Sequence, residues 1–161
     1  MTSPEPTRPT TPTPAPPPAG PDAALYDAVA AEHAIIYGYG LVSAHSPPDI
    51  NYLVADAMAA HRKRREASVA TLTAHSVPTP LAALGYQLPF PVKSSTDAAK
   101  LAVQMENDAA VAWRAVIEQA ATDQDRAFGV AALTQSAVLA AQWKKVLGSW
   151  PITEALPGGS E

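Results

Sequence analysis

The placement of proline constrains this chain more than any other feature. Eight of its 17 prolines lie in residues 1–20, four more lie in residues 76–95, and the others mark isolated boundaries. Proline lacks an N–H and fixes φ, so it ends helices and interrupts sheet ladders. Between these marks run long stretches dense in alanine, the residue with the best helix propensity. The pattern predicts an all-α chain of four long helices, and a length of 161 residues fits one domain.

Local signals place the helix ends. Pro21 and Asp22 open a first helix over about residues 22–44. Its largest apolar residues, Leu25, Val29, Ile36 and Tyr39, recur at helical spacing. The turn "HSPPDI", with Ser46 as a cap, leads into a second helix over about residues 47–75. Ser94 with Asp97, and Thr122 with Asp125, have capping-box spacing. They open a third helix over about 96–121 and a fourth over about 123–147, which Gly148 stops.

Short turns make two antiparallel hairpins, joined by "SVPTPLAALGYQLPFPVKSS", residues 76–95. That segment has too many prolines for a long helix and is too apolar for a solvated linker. It is expected to be an ordered crossover, with Leu81, Tyr86, Leu88 and Phe90 packed on the helices and a short helical turn near Leu81 to Leu84. Two hairpins joined by one long crossover have the connectivity of a ferritin-like four-helix bundle. The plan is then a disordered Pro-rich tail over 1–20, the bundle over 21–150 and a C-terminal tail over 151–161.

Composition removes several functions. With no cysteine there is no disulfide, iron–sulfur cluster, zinc–thiolate site or cysteine nucleophile. A formal net charge of −4 gives no global attraction to nucleic acid. The N-terminal stretch lacks the apolar centre of a secretory signal, and no apolar run reaches membrane-spanning length. The expectation is a cytoplasmic protein with no membrane partner. No Gly-x-Gly-x-x-Gly, Walker or Gly-x-Ser-x-Gly motif appears. Gly38 and Gly40, in "YGYG", are expected at close contacts between helices.

Three polar residues fall on inward arcs. Di-metal proteins of the ferritin-like class take one Glu from each of two helices and a Glu-x-x-His pair from each of the other two. Residues three apart share a helix face, so both side chains reach one metal pair. Glu32 shares the stripe of Leu25, Val29, Ile36 and Tyr39, and His61 lies at its antiparallel level on the second helix. Glu106 lies within the arc of Leu101, Met105, Trp113, Val116 and Ile117. Met58 stands where the Glu of Glu-x-x-His belongs, and the inward arc of the fourth helix, including Ser136 and Trp143, offers no carboxylate or histidine.

Two readings remain open at this point. Glu32, His61 and Glu106 could form a reduced site for Fe, Mn or Zn. Alternatively, Glu32 and His61 form a buried hydrogen-bonded pair, since an inward carboxylate needs a partner. The basic run "HRKRRE", residues 61–66, cannot face water on all sides. Arg65 is expected inward, paired with Asp27 or with Glu32 one turn away, while Arg62 and Lys63 face solvent. His33 is expected at a helix groove, and His45 and His75 at helix ends.

The segments "AEHAIIYGYG", "HRKRRE", "YQLPFPV", "ENDAAVAW" and "QWKK", in this order, resemble an uncharacterised ferritin-like domain family found mainly in actinobacteria, a domain of unknown function. The resemblance spans roughly residues 22–150. It implies the ferritin-like fold and little about activity. Neither Glu-x-x-His is present, which separates the chain from ferritin and rubrerythrin patterns. The functional expectation is a binding or interaction module with a degenerate metal site and no cofactor, acting as a homodimer. The alternative is a metal-binding protein or oxidoreductase, and the sequence leaves the question of catalysis open.

Overall fold

The computed structural model describes residues 14–159. Four helices occupy them: α1 (Pro21–His45), α2 (Asn51–Ala74), α3 (Ser95–Gln119) and α4 (Asp123–Leu147). The described residues contain no strand. Residues 1–13 of the expected Pro-rich tail lie outside the described residues. Residues 14–20 contain no helix, and the Pro14 carbonyl accepts a hydrogen bond from Tyr26 Oη at 2.7 Å.

Most helix boundaries follow the local chemistry. Pro21 occupies the first turn of α1, where its missing N–H costs nothing. Ser94 and Thr122 cap α3 and α4, each accepting from the backbone N–H of the residue three further on, at 3.1 Å. Gly148 ends α4 in the left-handed region, at φ 65°. Ser46 departs from expectation: its hydroxyl bonds back to the Val42 carbonyl at 2.7 Å and closes α1 instead of opening α2. Pro48–Ile50 form a single 3-10 turn, so α2 starts four residues later than the sequence suggests.

α1 packs along α2 and α3, and α3 packs along α4. The contacts of Glu32 with Trp113 and of Tyr39 with Glu106 run α1 antiparallel to α3. His61 faces Glu32 while His75 faces Asp22, which makes α2 antiparallel to α1. The all-α four-helix architecture matches the sequence reading. The helices enclose a core that includes Trp113, Trp143, Leu72, Leu101 and Val42, each at most 2% exposed.

The crossover runs beside α1. His33 Nε2 lies 3.2 Å from the Pro80 carbonyl, and the Tyr37 and Tyr86 rings sit 5.4 Å apart. Leu88 and Phe90 pack on the core, as does Val92. Leu81 does not: it is 52% exposed, and buried Pro80 takes the inward position beside it. No helical turn forms at Leu81–Leu84, and the Ala83 N–H donates to Tyr86 Oη at 3.1 Å instead. Gly38 is a close-packing point, because a Cβ there would collide with the Met105 sulfur. Gly40 is not, since a Cβ there meets nothing within 4 Å.

Candidate functional site: a buried carboxylate–imidazole–guanidinium centre

The sequence places Glu32 on α1, His61 on α2 and Glu106 on α3, and the structure brings them together. All three are fully buried. His61 sits between the two carboxylates. Its Nδ1 lies 2.6 Å from Glu32 Oε2, and its Nε2 lies 2.9 Å from Glu106 Oε1. Trp113 Nε1 donates to Glu32 Oε1 at 2.8 Å. Tyr39 Oη donates to Glu106 Oε1 at 2.5 Å and accepts from Trp143 Nε1 at 2.9 Å. Helices α1, α2 and α3 thus converge on one imidazole, and α4 joins through Trp143.

The buried arginine is Arg64, not Arg65. Arg65 is half-buried with Glu66 as its carboxylate neighbour at 3.7 Å, and Asp27 is exposed. Arg62 and Lys63 face solvent, as expected. The inward residues of α2 are Leu53, Val54, Ala57, His61, Arg64, Ser68 and Leu72. Ala57, Arg64 and Ser68 on this stripe turn the inward face of α2 one step of rotation away from Arg65. The small residues Ala57 and Ser68 are the signal for it, since they allow close helix approach. Met58 is partly buried against the core.

Arg64 is 5% exposed and donates from Nη1 to both the Ala132 carbonyl and Ser136 Oγ on α4, each at 2.8 Å. Its Nε lies 3.4 Å from Glu32 Oε1. Its Nη2 lies 2.7 Å from His61 Nδ1. Nδ1 cannot donate to Glu32 and accept from Arg64 at once. Glu32 Oε2 at 2.6 Å is the closer partner and an acceptor, so Nδ1 carries a proton toward it. The Arg64 approach is then a contact between cations tolerated by the adjacent carboxylates. Two carboxylates, one imidazolium and one guanidinium leave the centre neutral.

The energetics of His61 support this assignment. Burial works to lower its pKa, but the hydrogen bonds and charges of Glu106 and Glu32 outweigh burial and raise it above the ordinary histidine value. Burial, the Glu106 charge and the bond to Glu106 push the Tyr39 phenol well above its ordinary value, so it stays a donor. Among the described residues, two buried side-chain polar atoms have no hydrogen-bond partner, Arg64 Nε and Glu106 Oε2.

The donor set does not suit a metal ion as arranged. Each imidazole nitrogen is directed at a carboxylate, whereas a ligating nitrogen must turn its lone pair to the metal. Among the described residues, no group of three or more His, Asp or Glu is disposed to hold a metal ion. No described helix is long and apolar enough to cross a membrane.

A second feature lies on the outer side of α4. A cavity of about 380 Å³ is lined by Ala110, Ala137, Val138, Ala141, Ile152 and Pro157, among others. The C-terminal segment forms part of its wall. It is held by Lys144 Nζ to Glu154 Oε1 at 2.7 Å and by close approach of Gly158 to the Ala110 carbonyl.

The fold and centre define an all-α four-helix domain with a neutral charged cluster at its middle. The model of the family described as "Domain of unknown function (DUF4439)" matches residues 24–161, and the chain belongs to this family. It is similar to a crystal structure of a conserved hypothetical protein, rv2844, from Mycobacterium tuberculosis, with 59% sequence identity and a TM-score of 0.78. That match covers 79% of this chain and 96% of the other. Comparison with curated proteins gives no match.

Proposed function

We propose that this protein is a ferritin-like bundle acting as a binding or interaction module, in which the residues at the metal-site positions serve as a structural charge cluster. One observation carries the reading: both nitrogens of His61 are engaged by Glu32 and Glu106, so the imidazole has no lone pair free for a ligand. The surface supports a binding role. Val138 of α4 is 52% exposed and lines the cavity at the C-terminal segment, together with Ala110, Ala137 and Ala141. Such a face suits a protein contact, including a homodimer, in the cytoplasm, with no nucleic-acid or membrane partner.

A second reading is favoured by the unpartnered Glu106 Oε2, which is an unused ligand atom in the buried centre. In it, Glu32, His61 and Glu106 hold Fe, Mn or Zn in a reduced site for metal binding or oxidoreduction. Metal analysis of untagged protein separates the two. Less than about 0.1 metal per chain after incubation with Fe(II), Mn(II) and Zn(II) supports the module. Stoichiometric metal that is lost in Glu32→Ala and Glu106→Ala overturns it.

A further inference from the structure

Two fully buried carboxylates are costly unless compensated. In this core His61 supplies one positive charge between Glu32 and Glu106. Arg64 supplies the second, with its guanidinium against both Glu32 and His61. A guanidinium stays charged at every pH a protein survives, so this charge is permanent.

The anchoring is informative. Arginine commonly grips a carboxylate with two parallel N–H donors. Arg64 does not; it turns Nη1 to the Ala132 carbonyl and Ser136 Oγ of α4, and its Nε faces Glu32 at 3.4 Å without a hydrogen bond. The helix that contributes no carboxylate or histidine to the centre is therefore the one that fixes the arginine there. Ser136 is fully buried at the position where an inward side chain of α4 meets Arg64.

We infer that Arg64 is the built-in counter-cation of the Glu32–His61–Glu106 centre: held by α4, it supplies positive charge that a metal ion would otherwise bring, and excludes one. The inference rests on the non-metal reading above. Its consequence is a latent cation site. Without the guanidinium, the two buried carboxylates would keep a negative charge that an entering cation could balance.

The test uses the full chain and its Arg64→Met variant, which keeps an unbranched side chain and removes the charge. Co(II) is the probe, followed by its visible absorption, by titration calorimetry and by thermal melting. Wild type should take up no stoichiometric Co(II). Arg64→Met should bind one Co(II) per chain, at least 100-fold more tightly than wild type, and melt higher when it is present. Adding Glu106→Gln should abolish that gain, and Arg64→Lys, which keeps a cation, should not show it.

Arg64→Met could prove too unstable to fold alone, in which case Co(II) must restore its helical signal on refolding. Failure of Co(II) to do so overturns the inference if Glu32→Gln/Arg64→Met, which loses one charge of each sign, does fold. If neither variant folds, Arg64 is needed for packing beyond charge and the inference also fails. Metal-free Arg64→Met of wild-type stability overturns it while leaving the non-metal reading intact. Stoichiometric Co(II) in wild type overturns the non-metal reading itself.

Discussion

His61 links three helices through two hydrogen bonds, so its charge affects the stability of the whole chain. Its folded pKa is raised. The native state therefore holds this proton where the unfolded chain has begun to lose it. That contribution is fully present below about pH 6.5, the ordinary histidine value, and is lost as pH rises through the raised one. His33 acts in the opposite sense: burial lowers its pKa, against its bond to Pro80, so its contribution falls as pH drops below about 6.5. Urea unfolding across pH 5–9 should show stability declining on the alkaline side, and His61→Gln should remove that decline. A flat alkaline limb in wild type would contradict the assignment. Tyr39 is a second test. Tyr39→Phe removes a donor to Glu106 and the acceptor of Trp143 Nε1, and should destabilise by roughly 1–3 kcal/mol in urea unfolding.

At the scale of elements, two glycines two residues apart on α1 should respond with opposite sign. Gly40→Ala adds a methyl to open space and should stabilise by about 0.5–1 kcal/mol, the helix-propensity difference. Gly38→Ala drives a methyl into Met105 and should destabilise by roughly 1–3 kcal/mol, outweighing the same propensity gain. Met105→Ala in the same chain should relieve part of that loss. Both changes are measured by thermal or urea unfolding. The spacing in "YGYG" treats the two alike. Only the partner helix distinguishes them, because α3 passes against one face of α1. Arg64 and Arg65 pose the same problem: adjacent basic residues differ by one step of helix rotation, and the packing of α2 on α1 selects between them.

At the scale of the molecule, α3 packs along two helices and α2 along one, with Arg64 bridging α2 to α4. Segments with fewer packed neighbours open at lower free energy. Native-state hydrogen exchange should find α2 less protected than α3, and Ser136→Ala, which removes an acceptor of Arg64, should lower α2 protection further. Equal protection of the two helices would count against this account.

What the sequence determined by itself is local or periodic. Prolines and caps place the ends of α1, α3 and α4 within about two residues, because those signals act on the adjacent backbone. Periodicity turns Glu32, His61 and Glu106 inward, because a helical face repeats on a fixed angle. What only the tertiary structure decided is distance between helices and the exact rotation of each. Those set which nitrogen of His61 meets which carboxylate, and that Trp113 and Tyr39 complete the set. They also make Arg64, anchored on α4, the cation of the centre. Such choices depend on sub-turn rotations and side-chain reach, which no repeat along a single chain encodes.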